Sequence, residues 1–121
     1  RQISIVAQSD LNEIAQALGL QEIPAELIGS NLTIDGVKDL SKLPIGSEIV
    51  FSGGVVLKIE EENLPCLKAG KAINSLFQNV KPEDFPKASI DKRGVVASVL
   101  TEGVINEGES IVIKLPELQK E

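Results

Sequence analysis

The fold is decided by residues 48–59, which read EIVFSGGVVLKI. Apolar, strand-forming residues lie on both sides of Ser52, Gly53 and Gly54, and short glycine-containing links between such runs are typical of a β-hairpin. Two antiparallel strands are therefore predicted in this part of the chain.

Further strand-like segments lie before and after the hairpin. Apolar and polar residues alternate over 3–7, residues 31–36 resemble a strand ending in a turn, and residues 95–100 and 111–113 add two apolar runs. These segments outnumber the helices and do not alternate regularly with them. We therefore predict a mainly β fold, a small β-barrel decorated with two or three helices.

Two helices are predicted from the spacing of apolar residues. The first begins at Ser9–Asp10, where a side chain can cap it, and ends at Gly19. The second follows Cys66 and carries an apolar face to Val80. Residues 81–89 contain two prolines and mixed charges, so they are predicted to form a surface loop.

Composition is typical of one soluble domain, with 121 residues of which 42% are hydrophobic and 25% charged. We assign residues 1–116 to it and 117–121 to a charged tail. The net charge of −6 and the 2% aromatic content argue against a nucleic-acid partner. No apolar stretch is long enough to span a membrane, and the single cysteine permits no internal disulfide. A cytoplasmic location is expected.

Cys66 is the best candidate for chemistry, since it is the sole cysteine of a chain without histidine. The lack of histidine excludes Ser-His-Asp and Cys-His catalysis, so a cofactor would have to supply any difficult chemistry. A helix N-terminus, Lys68 and Lys71 favour the thiolate, whereas the glutamates at 60–62 oppose it. Composition alone favours the alternative of a buried, inert cysteine.

The order of several short motifs resembles the MOSC domain, the module named after the C-terminal part of molybdenum cofactor sulfurases. The resemblance runs from Arg1 to about Pro116. It rests on these motifs: Asn31-Leu32 with Gly36, Leu43-Pro44-Ile45-Gly46, the hairpin, Pro65-Cys66, Arg93-Gly94, Ala97, Val99-Leu100 and Glu102-Gly103.

The resemblance implies a β-barrel and a set of site residues. In members that bind the molybdenum cofactor, the cysteine matching Cys66 ligates the metal, and Arg93 matches a basic position that helps to hold the anionic cofactor. Asn31 and Arg1 are weaker candidates for cofactor binding. The alternatives are a surface arginine at 93 and, for Asn31, a turn or a backbone hydrogen bond.

Family members usually carry further strands, and a segment rich in histidine and glycine, before the position that matches Arg1. Without such strands the barrel would be incomplete and would expose strand edges. A barrel this small could also be completed by a second chain, so an oligomer is possible.

Three functions are left open. The first is a molybdenum-dependent oxidoreductase that reduces N-hydroxylated small molecules and requires a separate electron-donor protein. The second is a sulfur carrier that holds a persulfide on Cys66 for metal–sulfur or cofactor sulfuration. The third is a non-catalytic binding module. Pyridoxal phosphate, found in the fused sulfurases, is not supported because no lysine has a recognisable cofactor context.

Overall fold

A computed structural model of the protein describes residues 2–117 and contains, in that range, six strands and three α-helices. The strands are β1 (Gln2–Ala7), β2 (Leu32–Ile34), β3 (Glu48–Phe51), β4 (Val56–Glu62), β5 (Val95–Thr101) and β6 (Ile111–Lys114). The α-helices are α1 (Gln8–Ala17), α2 (Leu67–Leu76) and α3 (Asp84–Ala88). Two 3₁₀ helices span Ala25–Ile28 and Leu40–Lys42.

The six strands form one sheet in the order β2-β1-β5-β4-β3-β6. The predicted hairpin is confirmed, since β3 and β4 pair in antiparallel register with Val50 opposite Val56. All other pairs are antiparallel too, except the parallel pair of β1 and β2. Side chains from both end strands, such as Ile34 of β2 and Ile113 of β6, pack around the same apolar core. The sheet therefore curls into a half-barrel, which confirms the predicted mainly β fold with helical decoration.

Two apolar clusters hold the layers together. The first fills the inside of the curled sheet and is dominated by Ile and Val, with Ile49, Leu57 and Ile59 fully or almost fully buried. The second lies outside β1, where Val6 packs with α1, α2, α3 and the Ala25–Ile28 turn. The helices therefore cover only one part of the outer surface of the sheet.

Within residues 2–117 the half-barrel is open between its end strands, β2 and β6. A cleft of about 760 Å³ lies between β2 and the segment leading into β6. Leu32, Ile34, Phe51, Ile105 and Ile111 are among its lining residues. The core is thus accessible from this side of residues 2–117.

The helix boundaries correct three predictions. No side chain caps α1, which begins at Gln8, and Asp10 is a buried residue inside the helix. Helix α2 ends at Leu76 and does not reach Val80. Phe77 leaves the helical conformation, and the side-chain amide of Asn74 donates a hydrogen bond to the carbonyl oxygen of Val80. The predicted loop at 81–89 contains α3; Pro86 lies in its first turn, where a missing N–H costs no helical hydrogen bond.

Glu109 fastens the loop before β6 to the hairpin. Its carboxylate accepts backbone hydrogen bonds from Asn106 at 2.7 Å and from Gly53 at 2.6 Å. These two bonds hold the pKa of Glu109 below its usual range. This contact between the hairpin turn and the loop before β6 supports the pairing of β6 with β3.

Replacement of Gly94 by alanine should destabilise the fold more than the same change at Gly36. Gly94 has a φ of 89°, and an added Cβ would overlap the carbonyl oxygen of Ile5. Gly36 has a similar φ of 79° but open space around it. We expect Gly36→Ala to cost roughly 1–2 kcal/mol of unfolding free energy from backbone strain alone. Gly94→Ala should cost at least about 4 kcal/mol in urea denaturation. Equal losses would show that the contact with β1 is unimportant.

Candidate functional site

Cys66 is the exposed residue immediately before α2. Its backbone is extended, with φ −140° and ψ 154°, and no side chain of residues 2–117 caps the helix that follows. The first N–H groups of a helix lack intrahelical partners and carry a partial positive charge, and Cys66 is the residue at this end of α2. The alternative of a buried cysteine is wrong, since the thiol is open to reagents.

The segment that leads from β4 to Cys66 is anchored to the start of β5. The N–H of Asn63 donates to the carbonyl oxygen of Gly94 at 2.9 Å, and Glu62 pairs with Val95 in the sheet. Cys66 follows β4 and Arg93 precedes β5, so the topology brings both to the same end of this strand pair. The structure thus groups the two strongest predicted site residues at one end of the sheet.

Arg93 is buried, with 7% of its surface exposed, so the alternative of a surface arginine is wrong. Its Nη2 donates to the carbonyl oxygen of Ile28, and its guanidinium lies 5.9 Å from the centre of the Phe85 ring. Ile28 and Phe85 belong to the apolar cluster that also contains Ile73 of α2. Arg93 therefore lies within the helical layer that α2 helps to form.

Two nitrogen atoms of the buried guanidinium, Nε and Nη1, have no hydrogen-bond partner among residues 2–117. No carboxylate in this range forms an ion pair with Arg93 either. Burying a cation without full hydrogen bonding costs folding free energy, and such groups often mark a missing ligand. Nε and Nη1 point to different sides of the guanidinium, so each could donate singly to an oxyanion such as phosphate, and Arg93 is compatible with an anionic cofactor.

Asn31 is tied to β1. Its Oδ1 accepts a hydrogen bond from the N–H of Ser4 at 2.9 Å, and its own N–H donates to the carbonyl oxygen of Ser4 at 2.9 Å. This is the backbone role given above as the alternative, and it extends the pairing of β1 with β2. Cofactor binding by Asn31 stays a prediction, and Arg1 lies outside the described residues.

Lys42 is a residue of this end of the sheet that the sequence did not reveal. Its Nζ lies 2.8 Å from Asp91 and 3.4 Å from Glu62, so it joins the segment before Arg93 to the segment before Cys66. Hydrogen bonds, first to Asp91 and then to Glu62, raise its pKa. No local motif connects positions 42, 62 and 91, so only the folded chain could show this contact.

Asp10 is a second buried ionisable group in this region, and its Oδ2 has no partner among residues 2–117. Burial raises the pKa of this carboxyl group, and Glu13 adds to the effect, whereas the nearby positive charge of Lys92 opposes it. Since Lys92 precedes Arg93, Asp10 belongs to the same end of the sheet. The sequence alone predicts only a helix-capping role for Asp10.

The described residues offer few metal ligands of their own. Nowhere in residues 2–117 do three side chains of His, Cys, Asp or Glu come together in a group that could hold a metal ion. Any metal bound through Cys66 would have to take most of its ligands from a cofactor or a substrate. In the same range, none of the helices has the length and apolar character needed to cross a membrane.

The substitution Asp10→Asn should stabilise the protein at neutral pH. Because the folded state raises the pKa of Asp10, ionisation of this group opposes folding above the raised pKa. That cost disappears as the pH falls below the ordinary value of about 3.9. We expect Asp10→Asn to raise Tm at pH 7 and to give no gain at pH 3, measured by circular dichroism. Asp35→Asn, at an exposed position, is the control. A lower Tm at pH 7 for Asp10→Asn would contradict this account.

Comparison with known proteins places this geometry in a family. The MOSC domain matches residues 1–112. A curated Bacillus subtilis protein, YuaD, named for metal–sulfur cluster biosynthesis, is 36% identical over 115 residues, which cover 93% of this chain and 60% of YuaD. The chain thus spans less than two thirds of the length of that relative.

Two crystal structures share the fold. That of the Bacillus subtilis YuaD protein has a TM-score of 0.89 at 33% identity and covers 95% of this chain and 64% of its own. That of YiiM from Geobacillus stearothermophilus has a TM-score of 0.72 at 23% identity, with 92% and 53% covered, and shows likeness of fold alone. The MOSC domain model matches almost the whole chain, and the half-barrel fold and the order of the motifs agree with this match. The chain therefore belongs to the MOSC domain family.

Proposed function

We propose that this protein carries sulfur on Cys66, accepting it as a persulfide and delivering it to a metal–sulfur centre or a cofactor. The observation that carries the proposal is the exposure of the Cys66 thiol at the start of α2. A persulfide carrier needs one accessible thiol and does not require a histidine. The name of YuaD, which refers to metal–sulfur cluster biosynthesis, supports the same chemistry.

Loading consists of one exchange of sulfur bonds. The Cys66 thiolate attacks the outer sulfur of a donor persulfide; a new S–S bond forms, the S–S bond of the donor breaks, and the donor leaves as a thiolate. Delivery reverses the roles, as an acceptor thiolate attacks the outer sulfur and Cys66 leaves as a thiolate. No external oxidant or reductant is required in either step.

Cys66 occupies the N-cap position of α2, at the helix end that carries a partial positive charge. The free N–H groups of the first turn of α2 interact favourably with a thiolate or persulfide anion. Lys68 and Lys71 are exposed on the same helix and add positive charge nearby. The exposed thiol lets a donor and then an acceptor approach in turn.

A persulfide-loading experiment tests this proposal. Incubation with glutathione persulfide should add about 32 Da to the intact protein, one sulfur atom, and dithiothreitol should remove it. Cys66→Ser should show no addition. The matched control is Cys66→Ser combined with Leu76→Cys, because position 76 is exposed at the other end of α2, where the helix dipole is reversed. We expect this control to load several-fold more slowly. Equal rates, or no loading of the unmodified protein, would refute a special role for Cys66.

A second function, ligation of the molybdenum cofactor, is favoured by the unpartnered nitrogen atoms of Arg93. Cys66 would supply one soft sulfur ligand, and Arg93 would contact an anionic group of the cofactor. When bound, the cofactor would supply two-electron redox chemistry. By resemblance to the enzymes of the family, the substrate would be an N-hydroxylated small molecule, and a separate protein would donate the electrons.

The metal content of the purified protein tests this second function independently of activity. Protein from a cofactor-producing host should contain near-stoichiometric molybdenum by elemental mass spectrometry, and Cys66→Ser should remove it. Arg93→Gln should reduce the content about tenfold or more through lost charged hydrogen bonds, whereas Lys92→Gln, next to it, should retain the metal. Circular dichroism checks that each variant folds. Absence of molybdenum from the unmodified protein would eliminate ligation and leave the persulfide test unaffected.

A further inference from the structure

The outer face of β3, β4, β5 and β6 is not covered by the helices. Helix α1 packs on β1, and α2 packs on the Ala25–Ile28 turn and on α3. The second apolar cluster takes only Val6 from the strands. Along β3 and β4, inward residues are buried and the outward residues between them are half-buried. A four-stranded surface therefore lies open in the described part of the chain.

An apolar row crosses this outer face. Val112 of β6 lies opposite Val50 of β3, and Val50 lies opposite Val56 of β4. On β5 the row is continued by Leu100, beside the register shift at Val56. Val112 is 65% exposed and Leu100 52% exposed, and with Val50 and Val56 they form a contiguous apolar row rather than scattered single residues. The row has the character of a surface that another surface covers.

A charged row runs beside the apolar one. Lys114 of β6 lies opposite Glu48 of β3, and Glu48 lies opposite Lys58 of β4. The fourth position, on β5, is Ser98, whose hydroxyl donates to the carboxylate of Glu60. The carboxylate of Glu60, which belongs to β4, therefore lies beside Ser98 at the β5 end of the row, and the charges along the row are positive, negative, positive and negative. The ion pairs found within residues 2–117 are those of Lys42, so these four charges are not paired with one another.

When two copies of this row face each other in opposite order, each positive charge lies opposite a negative charge. We propose that the outer face is an interface between two copies of this chain, related by a two-fold axis that runs parallel to the strands between β3 and β4. Each row then faces the same row of the second copy in reverse order. Lys114 meets Glu60 and Glu48 meets Lys58 across the interface, while the valines pack on one another. Aligned packing of two sheets and a self-complementary patch are the usual geometry for such a dimer.

The size of the patch sets the strength of the association. Four strands about 4.8 Å apart, each contributing about five residues at 3.4 Å, give roughly 300 Å² per chain. The total of roughly 600 Å² lies below the 1,200–2,000 Å² or so of stable interfaces. The dimer should therefore be weak and should dissociate on dilution. This inference does not depend on the function proposed for Cys66.

Reversal of two charges tests the proposed geometry. Sedimentation velocity over a concentration series at low salt should show a reversible monomer–dimer equilibrium for the unmodified protein. Glu48→Lys and Lys58→Glu should each be monomeric, because each places like charges opposite one another twice per dimer. An equimolar mixture of the two variants should associate again, since every facing pair is then opposite in sign. A variant that was only damaged internally would not be rescued by mixing.

Two further variants complete the test. Val112→Lys should abolish the dimer, whereas Ile90→Ser, which changes another exposed apolar residue in a turn, should leave it intact. Circular dichroism shows whether each variant folds. A protein that is monomeric at every concentration would overturn the proposal, and so would a dimer that the charge variants do not affect. Failure of the mixed variants to associate would also overturn the two-fold arrangement.

Discussion

The structure depends on the close contact of Gly94 with β1. The backbone of Gly94 lies directly against Ile5, its N–H donates to the hydroxyl of Ser41 at 2.8 Å, and its carbonyl oxygen accepts from Asn63. A single residue without a side chain thus joins β1, the Leu40–Lys42 turn and the end of β4. The same contact fixes the backbone on which Arg93 enters the helical layer and the segment that presents Cys66.

The candidate site combines one exposed and two buried groups of different character. Cys66 is accessible and adjacent to the positive end of a helix, whereas Arg93 and Asp10 retain unpartnered polar atoms in the protein interior. Buried groups of this kind lower stability, and natural proteins keep such costs mainly where ligands or reactions require them. This chain therefore combines an aliphatic half-barrel with buried polar groups that have no hydrogen-bond partner among residues 2–117.

The sequence predicted the features that arise from local patterns. The hairpin, the strands at β1, β5 and β6 and the start of α2 at Cys66 follow from periodicity and glycine turns over a few residues. The burial of Arg93 could not be predicted in this way, because its carbonyl partner at Ile28 is 65 positions away. The contacts of Lys42 and the environment of Asp10 likewise depend on distant segments. The short helix α3 was missed because the two prolines of residues 81–89 are typical of loops, although Pro86 is compatible with a first helical turn.

The pairing of β1 with β5 has a consequence for how the protein folds during synthesis. Residues 2–5 pair with residues 95–98, so the chain must close a loop of about 90 residues before β1 gains its central neighbour. A nascent chain that has emerged only as far as α2 already contains Cys66 but lacks Arg93, Gly94 and the strand that anchors its loop. Cys66 is therefore made well before its surroundings, and during that interval a ribosome-bound chain carries this thiol without Arg93 or the strand that anchors its loop.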